Sequence, residues 1–256
     1  MAANSGGGWF DTKFDAMDTA WDKVPKTGAI GGNRFFLKAN EKRRIMLLDD
    51  EPGAMFWEHM PKINGKWGTT EVCLHRNAIG PECPLCPASA AEAKADPRKG
   101  YAYYVGLFTI VDMTAWIDGK GKSHNYFRKV LAARMGSKEK PGFLAKLRRM
   151  SAAHKEAGHA AGLAGCIYDA FRSGAKTERV GDDWTFVERI PVDQIAAYAK
   201  KCGADVEKYP WVPIDFKASL PAPKTVAELR AIVASPLETS HGDADDEGSE
   251  SDDIPF

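Results

Sequence analysis

The stretch Cys73-Leu-His-Arg-Asn-Ala-Ile-Gly-Pro-Glu-Cys83-Pro-Leu-Cys86, with His59 a short distance upstream, is the part of the chain around which the rest is organised. Three of the five cysteines crowd into it, and two form Cys83-Pro-Leu-Cys86. A CxxC turn lets two thiolates reach one metal ion. Zinc takes four N/S ligands in a tetrahedron, so three cysteines and one histidine close its shell. A closed shell leaves no position for a reacting water, so it stabilises structure and does not catalyse. Two histidines compete for the fourth place. His75 lies two residues after Cys73 and shares its face if both lie on a strand. His59 lies further upstream, but Asn64-Gly65 is a strong hairpin signal that folds it back beside Cys73. The hairpin favours His59, with His75 as the alternative. The competing reading is a set of reduced, buried thiols without metal. A redox CxxC lacks its strand–helix setting here. A zinc deaminase shares Pro-Cys-x-x-Cys but needs a His-x-Glu, and the order here is Glu58-His59.

At 256 residues the chain can bury a sizeable core. It has no apolar run of membrane-spanning length and no signal-peptide pattern at Met1. A soluble, cytoplasmic protein is expected, in the host cytoplasm if a phage encodes it. Clustered cysteines fit metal ligation in a reducing compartment, and Cys166 and Cys202 read as small core residues. The net charge of zero conceals a partition. Residues 238–256 hold eight carboxylates and no Lys or Arg, and taking these from 35 acidic residues leaves 27 against 35 basic ones. The body is thus about +8 and the tail about −8. That asymmetry suits a polyanion-binding body with an acidic interaction tail.

Met1–Gly8 has the composition of a disordered segment. Phe10, Phe14, Met17 and Trp21 make one helical stripe, giving an N-terminal arm or helix over 1–30. Phe35–Leu48 reads as a strand or strand pair with the basic trio Lys42-Arg43-Arg44 at its edge, and Met55–His59 as a further short strand leading into the zinc module. Tyr101–Val111 is the clearest strand, with His124–Ala132 returning. Pro141–Lys155 is an amphipathic helix. Gly162–Arg172 and Glu178–Ile190 form a further hairpin, and Asp193–Cys202 a short helix closed by Gly203. The expected class is mainly β with helices: a five-stranded Greek-key barrel of the OB type over 31–208, with a zinc-binding subdomain inserted at 59–90. Pro210, Pro213, Pro221 and Pro223 mark an extended linker over 209–237, in which Thr225-Val-Ala-Glu228 is a capping box opening a short helix. Residues 238–256 read as a disordered acidic tail ending Asp252-Asp253-Ile254-Pro255-Phe256.

The order His59…Cys73…Cys83-x-x-Cys86 resembles the zinc subdomain of T-even-type phage single-stranded-DNA-binding (helix-destabilising) proteins. The resemblance implies one structural Zn2+ inserted in an OB fold, and it supports His59 over His75. It covers about 30–200, with specific identity concentrated in 59–86. The C-terminal Asp-Asp-Ile-Pro-Phe is similar to the tip of bacterial single-stranded-DNA-binding proteins, in which the terminal Phe and its carboxylate dock on replication and repair partners. Residues 1–30 carry no basic-Ser/Thr motif of the kind that drives cooperative binding, only Lys13, Lys23 and Lys26.

The function these features imply is sequence-independent binding of single-stranded DNA during replication, recombination and repair. Cations track phosphates, and aromatic rings stack on unpaired bases. The stacking candidates are Tyr103, Tyr104, Phe108, Trp116, Tyr126 and Trp184. The phosphate candidates are Lys42, Arg43, Arg44, Lys120, Lys122, Arg128 and Lys129. Asp252, Asp253, Ile254, Pro255 and Phe256 would recruit partners such as a polymerase, a helicase or its loader, or a recombinase. Self-association on DNA is a further expectation. No membrane partner and no enzymatic activity are expected: there is no Walker loop, GxSxG or dinucleotide fingerprint. The rival class is a zinc-ribbon transcription or recombination accessory factor acting on duplex DNA or protein.

Overall fold

The computed structural model describes residues 9–10, 12–14, 34–63, 66–67, 70–117, 123–124, 126–207 and 210–234. The strands among them, in chain order, are β1 (Lys42–Leu47), β2 (Ala54–His59), β3 (Lys62–Ile63), β4 (Lys66–Trp67), β5 (Glu71–Val72), β6 (Tyr103–Asp112), β7 (Trp116–Ile117), β8 (Ser123–His124), β9 (Phe127–Arg134), β10 (Cys166–Phe171) and β11 (Asp183–Arg189). The helices are α1 (Ala90–Ala95), α2 (Phe143–Glu156), α3 (Ile195–Lys201), α4 (Phe216–Ser219) and α5 (Val226–Ala234). No helix among the described residues is long and apolar enough to cross a membrane.

The main sheet is antiparallel and has seven strands, in the order β11-β10-β1-β6-β2-β5, with β9 also on β6. Its axis is β6. β2 pairs with the first half of β6, from Glu58↔Tyr103 to Ala54↔Leu107, and β1 with its end, Ile45↔Asp112. β9 runs along β6 from Arg134↔Val105 to Phe127↔Asp112. β6 forms because Tyr103–Val111 is rich in aromatic and β-branched residues, and it is buried from Tyr104 onward on both faces. Gly106 allows close packing: a Cβ there would lie 2.6 Å from Cδ1 of Leu144, so the Leu144 side chain of α2 would have to shift. Gly136, at φ +73, performs the reversal from β9 toward α2, since its Cβ would meet the Gly142 backbone.

α2 buries Phe143, Leu144 and Leu147 and stacks Phe143 on Trp184 of β11 at 4.6 Å between centroids. The capping box before α5 forms as its sequence requires. Thr225 N donates to Glu228 Oε2 at 2.6 Å, and Glu228 N donates back to Thr225 Oγ1 at 3.3 Å. Of the N-terminal stripe, Phe14 is buried against Phe108, while Met17 and Trp21 lie outside the described residues.

The region read as an extended linker is packed on the body. Trp211, Phe216 and Leu229 are all buried, and Ile214 N donates to Thr109 Oγ1 of β6 at 2.7 Å. Apolar residues among the prolines override the composition: each ring removed from water outweighs the local preference for a free, extended chain.

Candidate metal centre and nucleic-acid interface

β2 and β6 are sheet neighbours, so residues 60–102 are an excursion leaving and re-entering one end of that pair. The excursion opens with the expected hairpin, Lys62↔Trp67 and Ile63↔Lys66 flanking Asn64-Gly65. Its return strand β5 pairs with the end of β2, Glu58↔Val72 and His59↔Glu71. This brings Cys73 beside His59. Asn77 fixes the loop that follows: its Nδ2 donates to the carbonyls of Trp57 and Cys73, both at 2.8 Å, and its Oδ1 accepts from Trp57 N. The Cys83–Cys86 turn closes with Cys86 N donating to Cys83 O at 3.0 Å.

His59, Cys73, Cys83 and Cys86 form a cluster that can hold a metal ion, with all four ligand atoms within 4.8 Å of one another. His59 Nε2 is 3.5 Å from the sulfurs of both Cys83 and Cys86, and Cys73 Sγ is 3.6 Å from Cys86 Sγ. A tetrahedral ion with bonds of about 2.3 Å to sulfur and about 2.0 Å to nitrogen separates its ligands by roughly 3.5–3.8 Å. The cluster therefore has the dimensions of one filled shell. His59 Nδ1 donates to the carbonyl of Gly100 at 2.7 Å, which turns the Nε2 lone pair toward the sulfurs. His59, Cys73 and Cys83 are buried and Cys86 half-buried. Burial opposes the charge on His59, but the Cys83 and Cys86 sulfurs hold its pKa at about 9. Hydrogen bonds from Cys73 and Cys86 hold the Cys83 thiol far below its ordinary value, and the same sharing pushes Cys73 up. His75 is exposed, with Nδ1 3.1 Å from Pro81 O, outside the cluster.

The expected phosphate contacts divide. Arg43 and Lys129 both bind the carboxylate of Asp112, at 2.8 and 3.0 Å, and Asp112 is 1% exposed. Expected to face phosphates, these two cations instead neutralise a buried charge, because an unpaired carboxylate there would be too costly. Lys42 and Arg44 keep 61% and 50% of their side chains exposed while pairing with Asp169, whose carboxyl they hold down at about 2. Arg128 is half-buried and donates to Val212 O at 3.2 Å. Lys120 and Lys122 lie outside the described residues, as does the tail with Asp252–Phe256.

Of the stacking candidates, Tyr104, Phe108 and Trp184 are core residues. Tyr104 packs on Trp57, Phe108 on Phe14, and Trp184 on Phe143 and Tyr168 with its Nε1 donating to Val180 O. Tyr103 is half-buried with Arg134 over its ring, and Tyr126 is half-buried against Trp211. Trp116 lies on β7, paired with His124. Among the described residues, the exposed Phe, Tyr and Trp rings are two that are not stacking candidates from the sequence, Phe36 at 41% and Phe186 at 46%. Phe186 stands beside His154 and Tyr168, at 5.1 and 5.7 Å between centroids. Phe186 shares a strand face with the buried Trp184 two residues earlier, so alternation alone carries no signal that it is exposed.

Comparison with family models, curated proteins and solved structures finds no match to this chain.

Proposed function

We propose that this protein binds single-stranded DNA without sequence specificity, around an OB-type barrel stiffened by one structural zinc. The observation that carries the reading is the buried Cys3His cluster inserted between two paired strands of an antiparallel sheet. It has the arrangement that the resemblance to T-even-type phage helix-destabilising proteins implies. Zinc is the ion that suits three thiolates and one imidazole in a tetrahedral shell. Barrel closure is supported by a parallel bridge: Arg34 lies beside Val130 of β9, and Phe35 N donates to Val130 O at 2.7 Å. That contact carries the chain leading into β1 across to the strand on the other side of β6.

In this reading Lys42 and Arg44 meet phosphates by exchanging Asp169 for the DNA backbone, and Phe36, Phe186 and the half-buried Tyr103 and Tyr126 supply stacking faces. Single strands bind best because only unpaired bases expose faces to stack on. The acidic tail recruits replication, recombination or repair proteins through Ile254-Pro255-Phe256. The accessory-factor reading gains one point, since three expected stacking rings lie in the core.

The test is fluorescence anisotropy of a dye-labelled oligo-dT. Binding that weakens steeply and linearly in log salt is expected from counterion release. Failure to bind at low salt, with or without residues 238–256, removes the proposal.

A further inference from the structure

α5 lies against the metal knuckle. Arg230 Nη2 contacts Glu82 Oε1, one residue before Cys83, and Lys224 Nζ contacts Glu71 Oε1, two residues before Cys73. Leu229 is fully buried, in the same apolar cluster as Cys73, Leu74, Cys83 and Leu85, and Val226, Ile232 and Val233 pack against that cluster. A cleft between the two is lined by Cys83 and Pro84 on one side and by Arg230, Val233 and Ala234 on the other.

No strand or helix lies between Val72 and Ala90, so the knuckle is a run of turns. Asn77 and the turn hydrogen bonds hold it locally, and an ion that ties its cysteines to His59 would join its two ends. α5 has nine residues, and an isolated helix of that length is marginal in water. It forms because an apolar face and two ion pairs meet a surface prepared for them.

We propose that the metal knuckle is the anchor of the C-terminal helix, so that metal occupancy decides whether α5 is fastened to the body or released. The inference rests on the reading of the Cys3His cluster as an occupied metal site. In sequence, the acidic run begins four residues after Ala234. Metal occupancy therefore also decides where the acidic segment departs from the body, fixed beside the knuckle or free on a longer tether. Linkage makes the effect reciprocal: if the ion strengthens helix docking, docking strengthens ion binding by the same factor.

The experiment uses the full chain loaded with zinc. Elemental mass spectrometry first establishes the metal content. Hydrogen exchange is then followed before and after chelation. Amide protection over 226–234 is expected to fall at least about tenfold together with that over 73–86, while β6, β9 and β10 keep theirs, and zinc should restore it. A second arm needs no apo-protein. Leu229→Ala, in equilibrium competition with a chromogenic chelator, should hold zinc with at least about fivefold weaker affinity than the parent. Val111→Ala, a comparable loss in a different apolar cluster, should not. Protection over 226–234 that survives metal removal, or a parental zinc affinity in Leu229→Ala, overturns the anchor while leaving the metal site intact. A chain that takes up no zinc overturns both, and elemental analysis tells these outcomes apart.

Discussion

Phe108 and Phe186 are both phenylalanines on strands of one sheet, and the structure places them in opposite environments. Phe108 is fully buried on β6, in ring contact with Phe14, whereas Phe186 keeps nearly half of its surface in water. Phe108→Ala leaves a cavity in a two-faced core strand, and such truncations cost about 3–5 kcal/mol. For a domain of this size, each kcal/mol moves the melting temperature by about 2–4 °C, so the expected fall is about 6–20 °C. Phe186→Ala gives up only its contacts with His154 and Tyr168, at roughly 1 kcal/mol or less, and should melt within about 4 °C of the parent. On oligo-dT the order reverses. Losing one stacking ring costs about 1–3 kcal/mol of binding, or roughly five- to hundredfold in affinity. Phe108→Ala, measured where it is folded, should bind within about threefold of the parent. Circular dichroism melts and anisotropy titrations read both quantities on the same samples. A Phe108→Ala protein that melts with the parent refutes the burial assignment. A Phe186→Ala protein with full affinity refutes its role as a stacking face.

Three other outcomes follow from particular residues. His59→Ala should lose bound metal on dialysis, and His75→Ala should keep it, as read by elemental analysis; equal retention in both would show that the fourth ligand is neither ring. Burial raises the Asp49 carboxyl to about 6, against hydrogen bonding from Thr109. Its folded pKa exceeds its unfolded one, so protonation contributes up to about 3 kcal/mol below about pH 4, and this is lost as pH rises through about 6. The parent should therefore gain stability between pH 7 and 5, while Asp49→Asn should not, and identical pH slopes in denaturant melts would contradict this. Asp169 has the opposite sign: hydrogen bonds from Arg44 and Lys42 lower it to about 2, so its contribution is present above about pH 4 and lost as pH falls through about 2. Arg44→Ala should flatten that acid limb, and an unchanged limb would mean the pair contributes nothing to stability.

The metal quartet was legible because ligand chemistry dictates residue types and spacing, and Asn64-Gly65 told which histidine folds back. The capping box before α5 and the start of α2 were legible because helix ends are local. The inward or outward direction of the β6 residues was not. Strand direction is read from alternation, and a strand buried on both faces has none, so Tyr104 and Phe108 looked no different from exposed rings. The fate of the cations was hidden for another reason. Arg34 pairs with Glu58 across 24 residues, Arg43 with Asp112 across 69, and Arg44 with Asp169 across 125. A count of charges along the chain treats each of them as available, and only the fold shows which are already committed. Residues 210–234 misled through composition: four prolines describe a linker, while Trp211, Phe216 and Leu229 fasten it to the body.

The most direct test of the central claim is competition. A labelled oligo-dT held by the protein at low salt is challenged with unlabelled single strand and, separately, with duplex at equal nucleotide concentration. The account predicts that the single strand displaces the label at near-stoichiometric amounts, while duplex needs at least about a hundredfold more. Equal displacement by duplex would contradict it and assign the protein to the duplex-binding accessory class.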